Sequence, residues 1–343
     1  MKRIIRYLCG VKYLKTMKHL LPLAALATLT IMNACKPTPV DYTVEIAPFR
    51  GDKACAISFT YDDGMLCQYT DVAPELEKRG FRGTFWIIGQ NMDKNDPGYE
   101  WMTWDQVRDL SKRGHEISNH SWTHPSLPSL TPEQLEEEIV HNDSVIESVT
   151  GFRPKTFCYP YNAMSPEVVA RCSEGRVGTR NFQAAHGQKE SHCTAESLNA
   201  WLIDLIAKRE WGVTMTHGTT YGWDMWDDPQ VLYAFYDEVK AHEDSVWVGT
   251  FAQVAAYREE QQKVQAAAVG DTEHCVVTLS TDLDPQLYDE PLTLKISGND
   301  WGKHLPKATQ DGAECRVSCS NGLLLVDVNP QGGEVVIERK RKV

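Results

Sequence analysis

The chain has little positive charge outside its first residues. It carries 35 Lys and Arg against 47 Asp and Glu, a formal net charge of −12 over 343 residues. Six of the basic residues lie in the first 34 positions, where no acidic residue occurs, so the rest has 29 basic against 47 acidic residues. Without a basic cluster in this acidic body, nucleic acids and anionic membrane surfaces are excluded as partners.

The chain also lacks an apolar run of comfortable membrane-spanning length, internal repeats and low-complexity tracts. The apolar run Leu20 to Met32 is too short for a transmembrane helix. Ten cysteines are present, and only Cys315 and Cys319 approach a zinc-finger spacing. A Cys275 bridge to either of them is one possibility in an exported protein. Buried thiols are expected at Cys55, Cys67, Cys158 and Cys172.

The N-terminus has the organisation of a targeting segment. Lys18 precedes the apolar run, and Asn33-Ala34-Cys35 follows it. Residues 1–34 are therefore predicted to be a signal peptide, with Met17 as the true start. A cysteine directly after Ala34 resembles a bacterial lipoprotein signal, which predicts lipidation of Cys35 and an exported, cell-envelope lipoprotein anchored only through its lipid. Plain secretion without modification of Cys35 is the alternative. Residues 35–50 are predicted to be a tether, within which Val44 to Phe49 is a short strand or lead-in to the barrel.

Strand-like and helical segments alternate about seven times between residues 51 and 267. Parallel strands connected by helices are expected from this order, and the number of units favours a closed, irregular barrel over an open sheet. The predicted strands are Ala54–Thr60, Gly83–Ile88, Glu116–Ser118, Thr156–Tyr159, Arg176–Thr179, Gly212–Thr216 and Val246–Val248. The predicted helices are Asp71–Arg79, Thr103–Arg113, Thr131–Val149, Ser165–Cys172, Ser197–Arg209, Asp228–His242 and Thr250 to about Ala267.

The pattern changes after residue 267. Short alternating apolar runs separated by Gly, Asn, Asp and Pro predict a small all-β, sandwich-like domain over residues 268–343. Such a short domain is expected to depend on the barrel for stability. Its predicted strands are Val276–Leu279, Leu292–Ile296, Leu323–Val328 and Val335–Glu338.

Two strand ends carry the strongest candidates for catalysis. The first strand ends in Asp62-Asp63-Gly64, and two adjacent carboxylates require a cation or a shared proton. His120 and His124 follow the third strand and can converge on one metal, leaving positions open for water and substrate. Zn²⁺ is the first choice for such ligands, although cobalt, nickel or iron would also fit. A solvated turn and two solvated loop histidines are the alternative interpretations.

Two weaker signals complete the set. His217 ends the strand Val213 to His217 and can serve as a general acid. The segment Phe157 to Tyr161 is a strand that turns at Pro160, which offers the Tyr161 amide as an oxyanion donor.

In this order the motifs resemble the polysaccharide deacetylase, or NodB-homology, superfamily (carbohydrate esterase family 4) over about residues 52–257. The motifs are Thr60-Tyr61-Asp62-Asp63-Gly64, His120-Ser121-Trp122-Thr123-His124 and the strand that ends in His217. The resemblance implies a distorted (β/α)₇ barrel that hydrolyses N- or O-acetyl groups on sugars. It also implies that Asp63, His120 and His124 bind the metal, Asp62 is the general base, Tyr161 supplies the oxyanion donor and His217 is the acid.

The sequence departs from this family at two places. The arginine that usually pairs with the catalytic aspartate is replaced by Cys158, and the usual closing glycine of that motif by Asn162. Without the cation the pKa of Asp62 should rise, unless Arg180 or another group substitutes. The family's carboxylate that tunes the acid histidine is not identified, with Asp204 and Asp224 as the candidates.

Tryptophans are frequent near the expected mouth of the barrel. Trp122, Trp223 and Trp226 are predicted to form walls for sugar rings, with packing in the core as the alternative.

These features predict a metal-dependent carbohydrate deacetylase. A catalytically degenerate carbohydrate-binding lipoprotein is the second hypothesis, and it rests on Cys158 and the missing fourth motif. A phosphoesterase is a distant third, because no Arg or Lys accompanies the site motifs. The sequence leaves the oligomeric state open.

Overall fold

The computed structural model describes residues 37–301 and 305–339, and these form one compact unit. The predicted signal peptide and Cys35 lie outside the described residues. Within the described ranges, every helix is too short or too polar to cross a membrane.

The barrel is built from short strands and seven helices within the described part of the chain. Before the barrel lies β1 (Thr43–Ile46), which pairs with a strand of the C-terminal part, and β5 (Asn95–Asp96) and β6 (Tyr99–Glu100) form a separate hairpin. The barrel strands are β2 (Cys55–Ser58), β3 (Thr60–Tyr61), β4 (Thr84–Ile87), β7 (Glu116–Asn119), β8 (Thr156–Cys158), β9 (Gly178–Arg180), β10 (Ala184–Ala185), β11 (Trp211–Met215) and β12 (Val246–Val248). The helices are α1 (Ala73–Lys78), α2 (Trp104–Lys112), α3 (Pro132–Thr150), α4 (Pro166–Ser173), α5 (Ala195–Lys208), α6 (Pro229–Ala241) and α7 (Phe251–Lys263).

Parallel pairing orders the barrel strands as predicted. β2 lies between β11 and β12, and its continuation β3 pairs with β4, which is followed by β7, β8 and β9. A further parallel bridge joins Tyr61 to Thr216, so the end of the first strand lies beside the end of β11. The predicted α/β fold, a distorted seven-unit barrel with C-terminal strands, is confirmed. All strand ends that carry the motif residues therefore meet at one edge.

Threonine caps explain where several helices begin. Thr103, Thr131, Thr194 and Thr250 each accept a hydrogen bond from the backbone N–H three residues later, and the residue there bonds back to the cap. This reciprocal arrangement satisfies two backbone donors that a helix start otherwise leaves unpaired.

The C-terminal β domain consists of two antiparallel sheets. Its strands are β13 (Gln265–Gly270), β14 (His274–Ser280), β15 (Leu292–Ser297), β16 (Lys307–Gln310), β17 (Ala313–Glu314), β18 (Val317–Ser320), β19 (Leu323–Val328) and β20 (Val335–Glu338). One sheet has the order β1-β15-β19-β18 and the other β13-β14-β20-β16-β17. Its apolar core is continuous with barrel residues such as Ala56 and Trp247, so the two parts share one buried cluster.

Two details of the sequence prediction are corrected. The last barrel helix ends at Lys263 instead of Ala267, and Gln265–Gly270 form β13, which pairs with β14 over its whole length. The predicted tether contains β1, whose residues Thr43–Ile46 pair with β15. The segment before the barrel is therefore an edge strand of the C-terminal β domain.

Candidate active site

The predicted catalytic and metal-binding residues lie together in a cavity of about 410 Å³ at the carboxyl edge of the barrel strands. Asp62 and Asp63 come from the end of β3, the two histidines from the loop after β7, and His217 from the end of β11. The lining side chains are Asp62, Asp63, His120, His124, Tyr159, Tyr161, Asn162, Met215, His217 and Trp223.

Asp62 forms a buried, two-pronged ion pair with Arg180. The guanidinium Nη1 and Nη2 donate to the two carboxylate oxygens at 2.7 and 2.5 Å, and both side chains are almost fully buried. Nη1 also donates to the Thr60 hydroxyl at 2.8 Å. Arg180 ends β9 and is the register partner of Cys158 on β8. Arg180 therefore substitutes for the missing arginine from the neighbouring strand.

This ion pair prevents the rise in the pKa of Asp62 that would follow if no cation replaced the missing arginine. Burial alone would raise it, but the charges of Arg180 and His120 and the hydrogen bonds from Arg180 outweigh burial and lower the pKa to about 2. The substitution by Arg180 that the sequence left open is the one that the structure shows. Asp62 is consequently an ionised carboxylate throughout the neutral range.

Asp63, His120 and His124 form a group with metal-ligand geometry. Their donor atoms lie within 4.8 Å of one another. The Asp63 Oδ1 atom is 3.5 Å from His120 Nε2 and 3.8 Å from His124 Nε2, and it is buried without a hydrogen-bond partner among the described residues. An orphaned carboxylate oxygen facing two imidazoles fits a divalent cation.

The surroundings of His120 fix which ring nitrogen faces this group. Nδ1 lies 2.9 Å from the Cys158 carbonyl oxygen, to which it donates as N–H, so Nε2 is left as the ligand atom. Burial lowers the pKa of His120, but Cys158 and the two carboxylates raise it well above its usual value. Burial and the His120 charge lower the pKa of His124 to about 4. The site thus favours one positive charge beside Asp63, which a bound cation would supply in place of a proton.

The loop that carries the histidines is held by α3. The amide nitrogen of Asn142 donates to the carbonyl oxygens of Ile87 and Ser121 and to the Asn119 side chain, each at 2.8 to 2.9 Å. His124 adopts a left-handed backbone conformation (φ +62°), which is unfavourable for a histidine. The Asn142 hydrogen bonds therefore support a loop that its own sequence does not favour. The sequence does not indicate this role of Asn142, because it depends on contacts between segments that are distant in the chain.

The turn after β8 exposes Tyr161 at the rim. Tyr161 and Asn162 both have positive φ, +56° and +52°, and asparagine tolerates this conformation better than most residues with a side chain. This explains how Asn162 occupies a position where the family usually has glycine. The Tyr161 ring lies 4.6 Å from that of His124.

His217 lies opposite the histidine pair, with its Nε2 atom 4.0 Å from Asp63 Oδ2. Its Nδ1 atom is buried without a partner among the described residues. Asp224 accepts hydrogen bonds from the Glu190 and Ser191 amides instead, and Asp204 pairs with Lys208 on α5. Among the described residues, neither candidate carboxylate forms a hydrogen bond or ion pair with His217.

The three predicted tryptophan walls have different positions. Trp223 lines the cavity, is 47% exposed and lies 5.0 Å from the His217 ring. Trp226 is only 3% exposed within the barrel core, so the prediction of a sugar-binding wall is wrong for this residue. Trp122 does not line the cavity and packs against His141 of α3 at 4.3 Å. The buried indole of Trp226 cannot stack on a sugar, whereas that of Trp122 is half-buried and lies outside the cavity lining.

Comparison with known proteins agrees with this geometry. Residues 50–175 match the polysaccharide deacetylase family model. A gellan lyase from Bacillus sp. is 24% identical over 350 residues, which cover 85% of this chain and 13% of that protein. A peptidoglycan-N-acetylglucosamine deacetylase from Bacillus cereus is 24% identical over 106 residues, 31% of this chain and 36% of that enzyme. The chain thus covers only 13% and 36% of the length of these two relatives.

Among solved structures, the Bc1960 peptidoglycan N-acetylglucosamine deacetylase is 18% identical, with a TM-score of 0.46 over 61% of this chain and 91% of that one. The family match includes Asp62, Asp63, both predicted metal-binding histidines and the Tyr161 turn. Residues 50–175 therefore form a polysaccharide deacetylase domain by their match to that family model.

Proposed function

We propose that the protein is a metal-dependent hydrolase that removes N- or O-acetyl groups from a carbohydrate polymer or oligosaccharide. The proposal rests on two adjacent carboxylates that have different partners. Asp62 is ion-paired with Arg180, whereas the Asp63 oxygen facing His120 has no hydrogen-bond partner among the described residues. One aspartate is therefore suited to proton transfer and the other to a cation.

Asp63, His120 and His124 would hold the cation. Their mixed nitrogen and oxygen ligand set suits Zn²⁺ best, and Co²⁺, Ni²⁺ or Fe²⁺ would also be accepted. When bound, such a cation makes a water molecule more acidic and polarises a carbonyl group.

The chain's own residues would divide the remaining work. Asp62, ionised and oriented by Arg180, would accept a proton from the attacking water. The Tyr161 amide would donate a hydrogen bond to the oxyanion of the tetrahedral intermediate. His217 would protonate the departing amine or alkoxide of the sugar. Base and acid thus lie on the two neighbouring strand ends joined by the Tyr61–Thr216 bridge.

The lining of the cavity supports a neutral sugar as substrate. Among the described residues that line it there is no lysine or arginine, and exposed aromatic rings are provided by Tyr161 and Trp223. Aromatic faces favour sugar rings, while a site for an anionic phosphate ester would typically have lysine or arginine side chains in its lining. We further propose an exported lipoprotein, with Cys35 as the lipidated residue, acting on a cell-envelope or extracellular glycan.

The second candidate is a degenerate carbohydrate-binding lipoprotein. It is favoured by one observation, the unpartnered Nδ1 atom of His217, because an acid that is not oriented by a carboxylate is less effective.

One experiment separates the two functions. The metal-loaded protein is incubated with acetylated chitooligosaccharides, peptidoglycan fragments and acetylated xylan, and released acetate is measured. Acetate release that is lost with a chelator and restored by Zn²⁺ or Co²⁺ supports the hydrolase. Stoichiometric metal binding, together with glycan binding and no acetate from the panel, would establish the binding protein instead.

A further inference from the structure

Gln68 connects the two strand ends that carry the proposed base and acid. Its side chain is fully buried, and its amide nitrogen donates to the Asp62 carbonyl oxygen at 2.5 Å and to the His217 carbonyl oxygen at 2.7 Å. One side-chain NH₂ group thus bonds the backbone of both residues. Nothing in the sequence pattern marks this glutamine, which lies in the turn between β3 and α1.

The Asp62 and His217 carbonyl groups lie just beyond the ends of their strands, where neighbouring strands no longer supply hydrogen-bond donors. Asp62 N–H donates to the Thr216 carbonyl at 2.9 Å, as the last step of the ladder between these strands. The chain then leaves the sheet at Asp63, whose φ is +82°. A buried carbonyl without a partner costs about 1 to 3 kcal/mol, so Gln68 stabilises two such groups at once. The reverse amide orientation would place an oxygen against two acceptors, which fixes the assignment.

The backbone of Gln68 is itself fixed at both ends. Its N–H donates to the Met65 carbonyl at 3.0 Å, and its carbonyl accepts from the Ala73 amide in a wide helical turn over Gln68–Val72. Wide turns of this kind occur preferentially at functional sites. A side chain anchored in this way can act as a rigid connection between two strand ends.

We propose that Gln68 is a positioning residue that fixes the separation between the predicted metal ligand Asp63 and the proposed acid His217. The Asp62 carbonyl belongs to the peptide unit that leads into Asp63, and the other bonded carbonyl belongs to His217 itself. The two side chains are 4.0 Å apart at Asp63 Oδ2 and His217 Nε2. This inference rests on the proposed deacetylase function, because it assigns Gln68 a role in placing the acid.

The first test is structural and needs no activity. Gln68→Met retains the length of the side chain and removes both donated hydrogen bonds. Gln310→Met is the matched control, because Gln310 in the C-terminal β domain likewise donates to two carbonyl oxygens, those of Asn329 and Gly333. In crystal structures with Zn²⁺, the Asp63–His217 separation should increase in Gln68→Met and stay unchanged in Gln310→Met. An unchanged separation in Gln68→Met would overturn the proposal.

The second test uses the leaving group. A sugar N-acetyl or O-acetyl group needs a proton from His217 on departure, whereas an aryl acetate with a stable phenolate leaving group does not. Misplacement of a reacting group by about 1 Å can cost about 100-fold, so Gln68→Met should lose up to that factor on the sugar and only a few-fold on the aryl ester. Equal losses on both substrates would contradict a role in placing the acid.

The two tests distinguish the two proposals. A wild-type protein that releases no acetate from sugars would count against the proposed function, while the distance comparison would still decide the role of Gln68. A wild-type enzyme that is active, with an Asp63–His217 separation that does not depend on Gln68, would remove the positioning role alone.

Discussion

At the scale of single residues, the central feature is the ion pair between Asp62 and Arg180. Each of the adjacent aspartates has its own compensation, Arg180 for Asp62 and the predicted cation for Asp63. Arg180 also lies 5.8 Å from the Trp86 ring centroid, beneath the site. Removal of one partner of a buried ion pair leaves the other charge unpaired in a low-dielectric surrounding, which typically costs about 3 to 5 kcal/mol.

The first prediction therefore concerns Arg180→Met. We expect it to lower the free energy of unfolding by about 3 to 5 kcal/mol, because Asp62 remains buried without its counter-charge. Urea denaturation measures this change. The double substitution Asp62→Asn with Arg180→Met should cost less than the sum of the two single substitutions. Additive losses would show that the two side chains do not interact.

The second prediction concerns transfer of the arginine to the neighbouring strand. Cys158 is the register partner of Arg180, and its Sγ atom is 3.9 Å from Asp62 Oδ2. An arginine at position 158 can therefore approach the Asp62 carboxylate when Arg180 is replaced by alanine. We expect Cys158→Arg combined with Arg180→Ala to recover part of the stability and the acetate release that Arg180→Ala loses. The matched control is Cys172→Arg in the same background, which should recover neither.

The motif residues were predictable from the sequence because strand ends in a parallel barrel meet at one edge. The pKa of Asp62 was not predictable with the same certainty, because the sequence named Arg180 only as a candidate partner. The direction of the Asp62 pKa depends on Arg180, which lies 118 residues away in the chain. Trp223 and Trp226 have similar sequence surroundings, yet one lines the cavity and the other is buried, a difference that only the folded loop determines.

At the scale of elements, α3 is the support of the predicted metal site. Besides Asn142, it contributes Glu138, which accepts hydrogen bonds from the Thr123 amide and hydroxyl groups. These contacts hold the loop between the two histidines from outside the site. Groups that orient ligands in this way typically change metal affinity by about 10- to 100-fold when they are removed.

We accordingly expect Asn142→Ala to raise the dissociation constant for Zn²⁺ by about 10- to 100-fold. Isothermal titration with a competing chelator measures it. Ser144→Ala, on the exposed face of the same helix, should leave the affinity unchanged. The same affinity in Asn142→Ala and wild type would show that the loop holds its conformation without α3.

The elements themselves were predicted unevenly, for physical reasons. Helices with a threonine cap, such as α2 and α3, begin where the sequence indicates, because the cap acts locally. β13 was predicted as helix because Gln265-Ala266-Ala267-Ala268 has high helix propensity, which pairing with β14 overrides. β1 was predicted only as a short strand or lead-in within a tether, and its pairing was not predicted because its partner β15 lies about 250 residues later in the chain.

At the scale of the whole molecule, the barrel and the C-terminal β domain are joined by apolar and polar contacts. Tyr257 of α7 donates from its hydroxyl group to the Ala47 carbonyl at 2.9 Å. Near it, the buried Glu260 accepts a hydrogen bond from the Glu290 amide at 3.1 Å, and its other oxygen has no partner among the described residues. Burial, followed by the charges of Glu290 and Asp289, raises the pKa of Glu260 to about 8.

This raised pKa predicts a pH dependence of stability. The folded protein holds a proton on Glu260 that the unfolded chain releases near its ordinary pKa of about 4.3. The stabilisation is complete below that value and is lost as the pH rises towards 8, by at most about 1.4 kcal/mol per pH unit. Glu260→Gln should therefore gain stability relative to wild type as the pH rises from 5 to 8, with a constant difference above that range.

Thermal denaturation at several pH values measures this difference. Glu259→Gln makes the same substitution at the neighbouring position and should show no such trend relative to wild type. Parallel pH curves for wild type and Glu260→Gln would contradict a protonated Glu260 at this junction.

The central claim is that Asp62 transfers a proton while the predicted ligands around Asp63 hold the cation. Asp62→Asn tests it most directly, with Zn²⁺ affinity and acetate release measured on the same sample. A general base contributes about 100- to 10,000-fold, so we predict a loss of acetate release in that range with Zn²⁺ affinity within about threefold of wild type. Full acetate release by metal-loaded Asp62→Asn would contradict the account.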